Sequence, residues 1–196
     1  IRDNYFKIIA TQVAKELVND DSLNWITEEQ AISIMKDDPQ TSLYSNSENA
    51  LTWIVEHLGE SELTNQVKVL KDKVKFRELI KNLFPDFYFK KIKLEDIHDL
   101  SLQDISFPFV IKPSIGFFSI GVHIVKDEKG WQQAKRELNA ENLKSIFPRN
   151  VLDTTDFIIE EFIHGEEFAI DYYHNDNGDV VLLNVLHQDL NIKSEN

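Results

Sequence analysis

Between Phe107 and Val122 the chain reads Phe-Pro-Phe-Val-Ile-Lys-Pro-Ser-Ile-Gly-Phe-Phe-Ser-Ile-Gly-Val. Val110 and Ile111 are β-branched members of a short apolar run, the composition of a covered strand. Lys112 ends that run, and an ammonium in apolar surroundings is costly unless something anionic meets it. Ser114, Gly116, Ser119 and Gly121 follow. They provide hydroxyls and permissive backbone, the materials of an anion-binding loop. Two readings of this stretch stay open. One is a β-hairpin whose lysine snorkels to water. The other is a strand that delivers a lysine to an anion beneath a flap.

Two further stretches bear on the choice. Residues 157–171 read Phe-Ile-Ile-Glu-Glu-Phe-Ile-His-Gly-Glu-Glu-Phe-Ala-Ile-Asp, and residues 70–77 read Leu-Lys-Asp-Lys-Val-Lys-Phe-Arg. Together the three stretches resemble the ATP-grasp superfamily, the fold of D-alanine–D-alanine ligase and biotin carboxylase. In that family a strand ends in Lys-Pro and runs into a serine- and glycine-containing flap. Ile-Glu-x-aromatic-(Ile/Leu) comes later, then Gly-x-Glu-Phe, and an Asp-Lys helix start lies upstream. The resemblance covers residues 70 to 190 and departs from the family at the flap tip, where Phe117 and Phe118 replace small residues.

The resemblance implies a set of roles. Lys73 and Lys112 contact the phosphates of ATP, and the flap closes over them with backbone N–H groups and the hydroxyls of Ser114 and Ser119, Gly121 included in the loop. Glu160 accepts the exocyclic amine of the adenine, the backbones of Glu161 and Ile163 meet the adenine edge, and Glu167 binds the ribose. Lys112 and Glu160 then face each other across a cleft for a purine triphosphate. Residue chemistry fits these roles, since a lysine is a compact charge with three donors, while a solvated acidic face is the plainer reading of any one carboxylate. The family's Mg²⁺ ligands, an Asp, a Glu and an Asn, follow the central hairpin, and no such set is found before Asn196.

The net charge of -13 argues against nucleic acid as a main partner. Basic residues crowd one segment, from Lys68 through Lys93, which reads mostly as a solvated helix face. With no cysteine, disulfides and thiolate metal sites are excluded and a cytoplasmic location is expected. His57, His98, His123, His164, His174 and His187 show no metal-ligand spacing. No apolar run approaches the roughly 20 residues of a membrane span. The chain starts at Ile1, and a piece of a longer protein is expected.

In chain order, residues 3–18 predict an amphipathic helix with Phe6, Ile9, Val13 and Leu17 inward. Thr27-Glu28-Glu29-Gln30 is a capping box for a helix to Lys36. Ser47 caps a third, with Ile54 among its inward residues and Gly59 closing it. Trp25 and Trp53 read as packing anchors. Asp72 caps a fourth helix to Leu83 with a stripe of Phe76, Leu79, Ile80 and Leu83, and its positive N-terminus beside Lys73 suits a phosphate. Strands are expected at 87–92, 107–112, 120–125 and 157–163. A helix capped by Asp127 runs through Trp131, Ala134 and Leu138 toward Ile146, and a hairpin turns at Asn177-Gly178.

The fold class is α+β: an antiparallel ATP-grasp lid with one flanking helix, after a helical N-terminal region. The expected division is 1–84 helical, 85–164 lid, and 165–196 the start of the C-terminal ATP-grasp subdomain. The expected function is an ATP-dependent ligase with ATP and Mg²⁺ as cofactors and a small-molecule carboxylate as substrate, activated as an acyl phosphate for attack by an amine or similar nucleophile. The alternatives are a noncatalytic nucleotide-binding module and an interaction protein that binds no nucleotide.

Overall fold

The structure is a computed structural model and describes residues 6–38, 41–45, 47–116, 119–139, 155–175 and 177–188. Its central sheet has four strands: β1 (Phe89–Lys93), β2 (Phe109–Pro113), β3 (His123–Val125) and β4 (Asp156–Glu161). They lie in the order β1-β4-β2-β3, every neighbouring pair antiparallel. Side chains alternate between the faces of a strand. Phe109 and Ile111 of β2, Phe157 and Ile159 of β4, Val125 of β3 and Ile92 of β1 therefore share one face, and all six are buried.

Helix α6 (Glu128–Glu137) covers that face. Asp127 caps it by accepting from Gly130 N at 2.8 Å. Trp131 is 1% exposed and meets the Phe109 ring edge-on at 5.7 Å. Ala134 and Leu138 continue the contact one and two turns on. Each large apolar side chain buried here contributes about 1.5–3 kcal/mol, so this layer carries the local stability. The helix ends at Leu138, short of the expected Ile146; residues 140–154 lie outside the described ones.

The preceding helices are α1 (Gln12–Val18), α2 (Glu28–Asp37), α3 (Glu48–His57), α4 (Glu62–Lys71) and α5 (Lys73–Ile80). The capping box of α2 forms between Thr27 and Gln30. Gly59 follows α3 at φ +61°, a conformation that favours glycine at a helix end. The first predicted helix is corrected. Residues 6–10 are not helical, because Ile8 pairs in a short bridge with Trp25. The helix begins only after Thr11, whose hydroxyl accepts from Ala14 N, and Phe6, Val13 and Leu17 are exposed. The polar helix α4 has no counterpart among the expected elements. Only Thr64 and Val67 are buried on it, so no apolar stripe announces it.

A second sheet pairs β5 (Glu167–His174) with β6 (Val180–Gln188). Its turn holds Gly178 at φ +82°, and Asn175 Oδ1 accepts from Asn177 N and Asp179 N. Every residue of β5 is exposed. No helix among the described residues is long and apolar enough to cross a membrane.

Candidate functional site

The face of the central sheet opposite α6 carries Val110 and Lys112 from β2 and Ile158 and Glu160 from β4. Lys112 stands opposite Ile158 and Val110 opposite Glu160, so Lys112 and Glu160 are diagonal neighbours on one face. Their side chains touch: Lys112 Nζ lies 2.5 Å from Glu160 Oε2. The expected gap between them is therefore corrected to a direct ion pair. An antiparallel register that brings the strands side by side leaves only about 7–8 Å between diagonal positions, which a lysine spans.

Glu160 is 4% exposed and has a second cation. Arg77 Nε donates to its Oε1 at 2.6 Å, and the same guanidinium lies over the Phe87 ring at 4.2 Å. Burial works against an ionised Glu160, but hydrogen bonds from Arg77 and Lys112, reinforced by their charges, outweigh it and hold the carboxyl below the ordinary range. Phe89 is the cross-strand partner of Glu160, and Phe87 and Phe89 both line a cavity of about 390 Å³.

Arg77 comes from α5, and so does Lys73 one turn earlier. Positions four apart share a helix face, and on α5 the face toward the sheet is cationic. The predicted apolar stripe is corrected accordingly: Leu79 and Leu83 are exposed. Lys73 Nζ donates to Gly116 O at 3.0 Å, in the first part of the flap. Burial, then the nearby Lys112 charge, push the Lys73 ammonium below its usual range, against the pull of Glu160, Glu48 and Asp72.

The start of α5 is clipped to the root of the flap. Lys73 N donates to Ser114 O at 2.9 Å, and Ser114 Oγ donates to Asp72 Oδ1 at 2.9 Å. The same Asp72 oxygen caps the helix by accepting from Val74 N and Lys75 N. The first N–H groups of α5 are thus all engaged, and only the Lys73 side chain is left to meet an anion there. Ser114 is buried with its hydroxyl committed to Asp72 rather than turned to the flap opening.

The other expected site residues are spread more widely. Ser119 and Gly121 form a turn at φ +58° and +68°, with Val122 N donating to Ser119 O; this turn delays β3 to His123. Phe117 and Phe118 lie outside the described residues. Glu161 N donates to Tyr88 O, so that amide is not open to a ligand, and the Glu161 side chain is exposed. Ile163 and Glu167 are exposed, Ile163 beyond the end of β4 and Glu167 at the start of β5. Lys73, Lys112 and Glu160 are therefore brought together, while Ser119, Gly121, Ile163 and Glu167 are not in contact with them through any hydrogen bond seen among the described residues. Arg77, Asp72 and Phe87 are the residues sequence reading missed as members of this cluster. The four-residue spacing of Lys73 and Arg77 was the signal for the first.

The cluster has an excess of positive charge on a chain that is acidic overall. Lys73, Lys75, Arg77 and Lys112 stand against the carboxylates of Asp72 and Glu160. Two lysines beside one ionised, half-satisfied carboxylate fit a ligand with both a polyanion and an N–H donor. Among the described residues no three His, Asp or Glu side chains are grouped to hold a metal ion.

Residues 105–195 match the family model described as the ATP-grasp domain. No curated protein matches the chain by sequence. Among solved structures it is similar to an L-amino acid ligase from Bacillus licheniformis, with 24% identity and a TM-score of 0.55 over 83% of this chain and 41% of that one. It is similar to D-alanine–D-alanine ligase from Helicobacter pylori, with 15% identity and a TM-score of 0.53 over 93% of this chain and 70% of that one. It is also similar to the biotin carboxylase domain of 2-oxoglutarate carboxylase from Hydrogenobacter thermophilus, solved with MgADP, ADP and bicarbonate. There the identity is 13% and the TM-score 0.59, over 91% of this chain and 44% of that one. The chain thus spans less than half the length of two of these three proteins. The order of the strands, the helix that covers them and the match over residues 105–195 agree on one conclusion: this chain carries an ATP-grasp fold.

Proposed function

We propose that this chain is the nucleotide-holding part of an ATP-dependent ligase. In it a carboxylate is activated as an acyl phosphate and then attacked by an amine or similar nucleophile. The observation that carries the reading is the Lys112–Glu160–Arg77 cluster with Lys73 beside it, on the face of the lid sheet turned toward α5. Lys112 and Lys73 bind the phosphates, and Glu160 accepts from the exocyclic amine of the base. Phe89, the cross-strand partner of Glu160, gives the base an apolar wall. Ser119 and Gly121 belong to the flap that excludes water, the backbone carbonyl of Glu161 and the backbone of Ile163 meet the base edge, and Glu167 binds the ribose. Bound MgATP supplies the phosphoryl group; the residues described here position it and neutralise its charge.

The division proposed with this reading is 1–84 as a helical region, 85–164 as the lid and 165–196 as the start of the C-terminal subdomain. It is supported by the separation of the β5–β6 sheet from the four-stranded one. A small-molecule carboxylate is the proposed partner and the cytoplasm the proposed location.

The test has two stages on a protein carrying residues 1–196. MgATP at a hundred times its dissociation constant adds ~2.7 kcal/mol of stability, read as a rise in melting temperature. Hydroxylamine with a panel of carboxylates then captures an acyl phosphate as a hydroxamate. A thermal shift with hydroxamate formation supports the ligase. A shift in which no carboxylate of the panel yields hydroxamate supports the noncatalytic module, and no shift sinks both.

A further inference from the structure

We propose that Arg77 is a specificity-determining positioning residue, which fixes Glu160 as an acceptor for a 6-amino purine and leaves Lys112 free for the phosphates. The inference rests on the nucleotide reading above. Glu160 has two cations where one would satisfy its charge: Arg77 on Oε1 at 2.6 Å and Lys112 on Oε2 at 2.5 Å. The two differ in what else they can do. Lys112 stands one residue before the end of β2, beside the start of the flap, with a flexible stem and a point charge that a phosphate can draw away. Arg77 is fixed on α5, and its guanidinium is stacked on Phe87 at 4.2 Å. A planar guanidinium held on an aromatic face loses little further freedom when it binds a carboxylate. When phosphates compete for Lys112, Arg77 remains, and Glu160 keeps both its charge and its direction.

An ionised carboxylate has about four acceptor positions. Arg77 and Lys112 fill two of them, so acceptor capacity remains for a ligand N–H. A 6-amino purine supplies that donor. A 6-oxo purine turns a carbonyl oxygen toward the carboxylate instead, and the two acceptors repel unless Glu160 takes up a proton. The guanidinium at 2.6 Å opposes that proton. Selection between the two purines therefore depends on Arg77 as much as on Glu160, although Arg77 itself need not touch the base.

The test compares MgATP with the magnesium complex of inosine triphosphate, which carries an oxo group at position 6. Both are titrated calorimetrically into the unaltered protein and into Arg77→Met and Arg77→Lys. The unaltered protein is expected to bind ATP roughly tenfold or more tightly than the inosine nucleotide. Arg77→Met is expected to weaken ATP by roughly ten- to hundredfold, the range of one charge-assisted hydrogen bond. It should weaken the inosine nucleotide less, so the ratio falls toward one, and Arg77→Lys should restore part of it. Equal losses for both nucleotides, with the ratio unchanged, would show a merely structural role and overturn the inference alone. Equal binding of both by the unaltered protein overturns it as well. Binding of neither overturns the nucleotide reading on which it rests. Should Arg77→Met fail to fold, Phe87→Leu, which removes the ring beneath the guanidinium, is read for the same change in ratio.

Discussion

Lys112 and Glu160 are in contact although neither is the other's cross-strand partner; each leans along the sheet past Ile158 and Val110 to reach the other. The pair is half sheltered, with Glu160 nearly covered and Lys112 at 22% side-chain exposure. Its attraction is thus less screened than at an open surface. It also holds in place the lysine proposed to meet the phosphates, so little ordering of that side chain would remain on binding.

Lys112→Ala is therefore expected to separate binding from folding. Glu160 keeps Arg77, so its charge stays partnered and the loss of stability should stay within about 1–2 kcal/mol. MgATP affinity should fall roughly tenfold or more for the lost charge-assisted contact. Calorimetric titration and urea unfolding of the same variant check both halves. An unchanged affinity would remove the 112–121 loop from the nucleotide site.

Glu160→Gln acts the other way, because it leaves Arg77 and Lys112 without a counter-charge in a sheltered place, with Lys73 close by. A loss of about 2–3 kcal/mol is expected, below the 3–5 kcal/mol of a fully buried broken pair. The acid side carries a signature. The carboxyl of Glu160 sits lower in the folded state than its ordinary 4.5. The stability it contributes is then fully present above about pH 4.5 and is lost as pH falls through the depressed folded value. Urea midpoints between neutral pH and pH 3 should fall less steeply in the variant than in the unaltered protein. Parallel slopes would mean that another carboxyl controls the acid limb.

The strands that build this face were legible because their side chains have one job. Val110, Ile111, Ile158 and Ile159 alternate under a simple rule, and the hairpin turn at Asn177-Gly178 follows from backbone preference alone. Lys112 and Glu160 were legible because each is a charge at the end of an apolar run. Their contact was not, since register is a property of two strands brought together over some 48 residues of chain. Arg77 was hidden for a related reason: its partner lies on another element, and an arginine among many basic residues looks solvated until the sheet is placed beneath it. The first helix starts at Gln12 and not near residue 3 because Ile8 pairs with Trp25, and Phe6, Val13 and Leu17 keep helical spacing yet stay exposed.

The Asp72–Ser114 clip predicts a coupling between a helix cap and the flap. Asp72→Ala removes the acceptor of Val74 N, Lys75 N and Ser114 Oγ together, and a loss of about 1–2 kcal/mol is expected. Ser114→Ala removes one hydrogen bond and should cost about 1 kcal/mol. The two share an interaction, so the double variant should lose less than the sum by about 0.5–1 kcal/mol. A double-mutant cycle from urea unfolding measures this. Strict additivity would mean that the hydroxyl and the carboxylate do not act on each other in solution.

Lys73 gives a prediction that needs no substitution to be seen. Its ammonium is sheltered, lies near Lys112, and is held by burial below the usual 10.5. In a window between the depressed folded value and 10.5 the folded protein binds less proton at this site than the unfolded chain, so this group makes stability rise with pH across that window. An anion placed against Lys73 favours the charged form and draws its pKa back up. Binding of MgATP on the alkaline side should therefore be accompanied by proton uptake. The terminal phosphate is already fully ionised there and does not mask the effect. Titrations near pH 9 in buffers of different ionisation enthalpy measure the number of protons taken up. A positive number is expected in the unaltered protein and a value near zero in Lys73→Met, with affinity lowered roughly tenfold. Equal uptake in both would place the nucleotide's phosphates away from the start of α5, and Gly116 O, 3.0 Å from the ammonium, would then remain its partner in the complex as well.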